Sequence, residues 1–192
     1  MPLQIIILGY LLGSIPIAYL AGHLIKGKDI RQMGDGNMGA QNAFHQLGAR
    51  AGLAVGCLDA AKGALAILIA YAANIPQPII LLVGTATVIG HNWPIFLGFR
   101  GGRGESTTIG VLLTIVTLPM LIVGGVAIAV LLHTKSVIRA SMAMFIPLPL
   151  ICWWLEVPGL LVIYSIWLPG LVGFTHYIRI RQRLMRPANK TT

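Results

Sequence analysis

The sequence predicts an all-α, polytopic membrane protein with seven transmembrane helices, one of them short, its N-terminus outside and its C-terminus cytoplasmic. Three observations carry this. Of the 192 residues, 56% are hydrophobic and only 10% charged, where a soluble domain carries about a quarter charged residues. Long apolar runs alternate with polar turns along the whole chain, as membrane spans require. The Lys and Arg residues collect in alternate turns, the pattern that orients a membrane protein.

Residues 3–25 form the first span. Gly9, Gly13, Ser14 and Gly22 offer small surfaces for close helix packing, and Pro16 kinks it. It lacks a basic leader and runs too long for a signal peptide, so it reads as a retained span. Residues 26–50 are the longest polar stretch. Span two covers about 53–73 and holds Asp59 and Lys62 on one helix face, an expected structural ion pair turned to the bundle interior. Span three runs from about 79 to a loop at 91–106, with helical patterning resuming at Thr108. The apolar stretch 107–132 reads as one kinked helix or as two divided near Thr117-Leu118-Pro119.

Charge decides between them. Division puts the loops at 26–50, 91–106 and 133–140 and the tail from 177 on one side, with almost every Lys and Arg. An undivided helix would send Lys135, Arg139, Arg179, Arg181, Arg183 and Arg186 across the membrane. The piece at 107–117 then rises only about 16 Å against a core of about 30 Å, so it must tilt or stop partway, sheltered by protein. Span six covers about 137–156 and span seven runs to about His176. Trp153, Trp154 and Tyr10 are expected as interfacial anchors, Cys57 and Cys152 as buried free thiols, and the tail after Leu184 as frayed. The chain, 1–192, reads as a single membrane-embedded domain. Its charge of +9 is accounted for by cytoplasmic Lys and Arg, without nucleic acid as a partner.

Four polar segments thus share one membrane face. The loop from Gly90 to Thr107 carries Arg100, Gly101, Gly102, Arg103 and Gly104 ahead of a helix start. Glycines let consecutive backbone N–H groups converge, a helix start adds its own, and two guanidinium groups beside them suit a phosphate. His91 is a candidate ligand or base, or a residue bonded to backbone, and Glu105 is expected to pair with Arg103 or sit at the helix start. The 26–50 segment holds Asn37 and Asn42 among glycines, where turn chemistry is expected, and Asp35, a candidate base or hydroxyl ligand. The third segment, 133–141, offers Ser141 as a helix cap or a phosphate contact. The fourth is His176 with its arginines. Together they predict a site for an anionic, partly lipidic substrate.

The motifs at Gly13-Ser14-Ile15-Pro16, Asp29-Ile30-Arg31, Gly34/Gly36/Asn37/Gly39/Ala40/Asn42, Leu58-Asp59 with Lys62-Gly63, Gly90-His91 with Pro94 and Phe96, and Phe99 to Gly104 resemble the bacterial acyl-phosphate:glycerol-3-phosphate acyltransferases (PlsY family), in order and over nearly the whole chain. The resemblance implies transfer of a fatty acyl group from acyl phosphate to the 1-hydroxyl of glycerol 3-phosphate, giving lysophosphatidic acid in the bacterial inner (cytoplasmic) membrane. It implies no metal, no cofactor and no acyl carrier protein. Asp35, His45, His91 and His176 are then the candidate catalytic residues, with Asn37, Arg100 to Gly104 and Ser141 against substrate. The chain departs from the family at Asp35 (usually serine), Gln41 (usually threonine) and His45 (usually arginine). Arg100 and Arg103 stand for lysines, Glu105 adds a negative charge, and the family's final glutamate is absent. These substitutions motivate a second reading, a silent member bound to another membrane protein.

Overall fold

A computed structural model describes residues 1–184, and among these the secondary structure is helical throughout. Ten α-helices follow in order: α1 (Pro2–Ser14), α2 (Ile17–Lys26), α3 (Ala40–Leu47), α4 (Ala49–Ala72), α5 (Gln77–Asn92), α6 (Glu105–Ile115), α7 (Thr117–Thr134), α8 (Val137–Phe145), α9 (Leu148–Trp154) and α10 (Gly159–Leu184). Six segments are long and apolar enough to cross a membrane: α1 with α2, α4, α5 with the turn after it, α7, α8 with α9, and α10. The short α6 is apolar too.

Proline sets most of the breaks. Pro16 has no N–H to continue the ladder, so the first segment bends at Ile15 and restarts at Ile17. Pro147 divides α8 from α9 in the same way. The stretch 107–132 is divided, as charge requires: Val116 leaves helical geometry (φ −126°, ψ 60°), and Pro119 sits in the first turn of α7, where its missing N–H costs nothing.

Close helix pairs form where glycine removes the Cβ. A Cβ on Gly13 would run into the Thr87 carbonyl and one on Gly90 into the Tyr10 carbonyl, so α1 lies directly on α5. Gly63 abuts the Thr107 carbonyl and Gly110 the Ala60 carbonyl, which locks α4 to α6. The main core gathers Ile67, Val83, Val88, Val111, Leu112, Leu148 and Leu168. Leucine and isoleucine side chains on α4, α7 and α10 face outward, as a lipid-facing belt does.

Several expectations change. The 26–50 stretch is not all loop, since α3 lies within it. α6 begins at Glu105 instead of Thr108, and α10 runs eight residues past His176. Cys152 is buried but Cys57 is exposed. Trp153 and Trp154 are exposed, whereas Tyr10 is half-buried and donates its hydroxyl to the Trp93 carbonyl at 2.9 Å. The tail after Leu184 lies outside the described residues.

Candidate active site

The glycine loop is shaped by what precedes it. Trp93 stands before Pro94, which disfavours helix at residue 93 and ends α5. A 3-10 turn at Ile95–Leu97 follows, closed by Gly98. The chain then folds back on α5: Gly101 N–H donates to the Asn92 carbonyl at 3.2 Å and Gly102 N–H to the His91 carbonyl at 3.1 Å. Neither glycine could carry a side chain, because a Cβ at 101 would meet the His91 carbonyl and one at 102 the His91 ring at Nε2. These two N–H groups are therefore engaged in holding the loop, contrary to the expectation that they face an anion. The open donors lie one step on. The N–H groups of Arg103, Gly104, Glu105, Ser106 and Thr107 find no hydrogen-bond partner among the described residues. Gly104 turns the chain into α6 at φ +84°, a conformation that suits glycine.

The first loop is built around Asn42, which is buried at the start of α3. Its Nδ2 donates to the carbonyls of Met33 (3.0 Å) and Asn37 (2.9 Å), and its Oδ1 accepts from Asp35 N–H at 3.3 Å. Asn42 thus has the turn role foreseen for it, while Asn37 contributes its backbone carbonyl to that turn. Asp29 caps a short 3-10 turn at Ile30–Gln32, and Arg31 reaches back to it through Nε and Nη2, the latter at 2.7 Å. The Arg31 guanidinium holds the Asp29 carboxyl below its usual 3.8. Its Nη1 also donates to the Leu97 carbonyl at 3.2 Å, which ties the first loop to the second.

The two loops meet at Asp35 and Arg103. Arg103 Nη2 donates to Asp35 Oδ2 at 3.1 Å, while Asp35 Oδ1 accepts from Asn37 N–H at 3.0 Å. A cavity of about 360 Å³ opens beside this pair, lined by Gln41, Asn42, His45, Gln46 and Ile138. His176 lies within electrostatic reach of both Asp35 and Arg103. The Nε of Arg103 is buried and has no partner among the described residues. Two of the four proposed histidine and aspartate positions, Asp35 and His45, therefore line one opening.

The others are placed differently. His91 is buried behind the loop, its Nδ1 3.4 Å from Asp59 Oδ1, so it supports the loop from the rear. Asp59 and Lys62 form the expected interior pair at 2.8 Å. Arg100 is exposed. Ser141 meets Glu105 instead of capping α8, a role that Ser136 takes. Glu105 does occupy the first position of α6, but Arg103 pairs with Asp35 and not with it. Sequence reading missed Arg179, whose Nη2 donates to the Asn92 carbonyl at 2.9 Å, and Asn92, whose Nδ2 donates to Thr175 Oγ1 at 3.0 Å. The arginines after His176 were visible, but only the continuation of α10 brings one of them to the loop.

The arrangement, a guanidinium with an unengaged donor, five open backbone N–H groups and a polar cavity, suits binding of a phosphate next to a hydroxyl-bearing group. Residues 3–186 match the family model described as glycerol-3-phosphate acyltransferase. The chain is 56% identical over 182 residues to glycerol-3-phosphate acyltransferase 4 of Dehalococcoides mccartyi, covering 95% of this chain and 98% of that one. It is 41% identical to the glycerol-3-phosphate acyltransferase of Bacillus velezensis, covering 97% and 94%. The crystal structure of PlsY, an integral membrane glycerol 3-phosphate acyltransferase in its glycerol 3-phosphate form, superposes with a TM-score of 0.84 at 31% identity, covering all of this chain and 96% of that one. The chain is a multi-pass membrane protein and belongs to the glycerol-3-phosphate acyltransferase family.

Proposed function

We propose that this protein transfers a fatty acyl group from acyl phosphate to the 1-hydroxyl of glycerol 3-phosphate, giving lysophosphatidic acid and inorganic phosphate. The observation that carries this is the meeting of Arg103 with the first loop beside a polar cavity, at the open N-terminus of α6. Acyl phosphate is already activated, so the site must hold two phosphates, align hydroxyl and carbonyl, and stabilise charge on the carbonyl oxygen. The glycerol oxygen attacks the acyl carbon, the bond from that carbon to the phosphate oxygen breaks, and the hydroxyl proton is taken up at the cavity mouth.

In this reading Arg103 and the open N–H groups of residues 103–107 hold the donor phosphate, with Arg100 at the rim. Asn37, His45 and the first loop place the acceptor. Asp35 accepts from Arg103, a contact that a bound phosphate would replace. An ion pair as exposed as Asp35–Arg103 is worth only about 0.2–1 kcal/mol, little enough for a phosphate to displace it. Asp35, once released, is the carboxylate nearest the arriving hydroxyl, and His176 is the alternative proton acceptor.

The seven-pass topology has support beyond charge. Glu105 at the start of α6 meets Ser141 near the start of α8, and only Lys135 and Ser136 separate α7 from α8. The end of α7 is therefore level with the start of α6, which fits a chain that reverses at Val116. The positive-inside rule then assigns the site and the C-terminus to the cytoplasmic face of a bacterial inner membrane, with the N-terminus outside. Purified protein given acyl phosphate and glycerol 3-phosphate should release inorganic phosphate and lysophosphatidic acid in equal amounts. Phosphate release no greater than in a detergent blank would contradict the proposal.

A further inference from the structure

Three sequence motifs lie outside the proposed substrate contacts: Gly13-Ser14-Ile15-Pro16, Leu58-Asp59 with Lys62, and Gly90-His91. The fold joins them into one buried line. Pro16 breaks the helix, and at the break the Ile15 carbonyl accepts from both Ile17 N–H at 3.1 Å and Lys62 Nζ at 3.0 Å. Lys62 Nζ lies 2.8 Å from Asp59 Oδ1, and His91 Nδ1 approaches the same oxygen at 3.4 Å. The far edge of the His91 ring, at Nε2, is what fills the place of a Gly102 side chain, and the His91 carbonyl receives the Gly102 N–H. Asp59, Lys62 and His91 are 1%, 7% and 6% exposed.

Burying such groups is unfavourable, and a well-packed apolar pair is often as stable or more so. A buried ionic cluster of this kind is better explained by the geometry it imposes. Asp59 opposite Nδ1 favours the proton on that nitrogen and fixes the ring plane, and the ring plane sets where Gly102, and so Arg103, can lie. From these contacts, and resting on the acyl-transfer reading above, we infer that Asp59 is a positioning residue for the donor-phosphate loop, acting through His91, with Lys62 anchoring it to the break between α1 and α2.

The test uses the full chain in detergent with two variants. Asp59→Asn alone leaves Lys62 without its partner and can unfold, so Asp59→Asn/Lys62→Met removes both charges together. His91→Asn retains a donor toward Asp59 and removes the ring edge under Gly102. Both should keep a thermal midpoint within a few degrees of wild type. The KM for acyl phosphate should rise about tenfold or more, the scale on which a small misplacement acts, and the KM for glycerol 3-phosphate should change by less than about twofold. The rise in thermal midpoint that inorganic phosphate gives the wild type should be lost. Wild-type values for both substrates in the double variant would overturn the inference. So would a parallel rise of both KM values with a lowered midpoint, which is the mark of a merely structural pair, or a wild type that phosphate does not stabilise. The phosphate measurement needs no turnover. A wild type that binds phosphate through this loop but forms no product would therefore overturn the acyl-transfer reading alone.

Discussion

At the residue scale, Gly102 shows how little freedom the site has. Its N–H is bonded to the His91 carbonyl and its missing side chain is replaced by the His91 ring. Gly102→Ala must push the loop off that ring, and with it Arg103. A displacement of about 1 Å near the reacting groups can cost about a hundredfold in rate. The expected outcome is a kcat/KM lowered on that order, measured as phosphate release, with secondary structure by circular dichroism unchanged. The glycines, arginines and Asp35 of this site were legible as residue types. Their pairings were not, because Asp35 and Arg103 lie 68 positions apart and only the packing of the helices between them brings them together. The engagement of the Gly101 and Gly102 N–H groups was hidden for the same reason, since it depends on the fold-back against α5.

At the element scale, the α4–α6 contact supports the glycine loop ahead of α6. Gly63 and Gly110 let two helix backbones touch, and α6 presents its N-terminus where that contact holds it. Gly63→Val would force the two helices apart, since its Cβ meets the Thr107 carbonyl. Overpacking of this kind costs about 1–3 kcal/mol, so the thermal midpoint in detergent should fall, and activity with it. An unchanged midpoint would mean that the helices are not in contact there. Apolar runs and prolines made the spans legible, and the distribution of Lys and Arg decided the division near Thr117. α3 escaped notice because it is short, partly polar and set among glycines. The last turns of α10 were read as a tail because Arg179 and Arg181 end the apolar run. A helix closes its own backbone hydrogen bonds, so it can continue into water where the hydrophobic signal stops.

At the scale of the whole molecule, four polar segments converge at one end of a helical bundle whose outer surface is leucine, isoleucine and tryptophan. Sidedness can be read with cysteines placed at exposed positions in a Cys57→Ala background. A membrane-impermeant thiol reagent applied to spheroplasts should label Glu156→Cys and leave Arg100→Cys and Lys135→Cys untouched. Labelling of Arg100→Cys and Lys135→Cys from opposite sides would break the seven-pass arrangement. The convergence itself was predicted from charge alone, whereas the cavity beside Arg103 and the Arg31 tie between the loops required the fold.

The most direct measurement compares lysophosphatidic acid formation by the wild type and Arg103→Gln in the same reconstituted membrane, with acyl phosphate and labelled glycerol 3-phosphate supplied. Loss of a charged phosphate contact on this scale should slow product formation by about a hundredfold or more, with the purified variant still folded. Equal rates in the two proteins would show that the Arg103 loop is not where the donor phosphate is held.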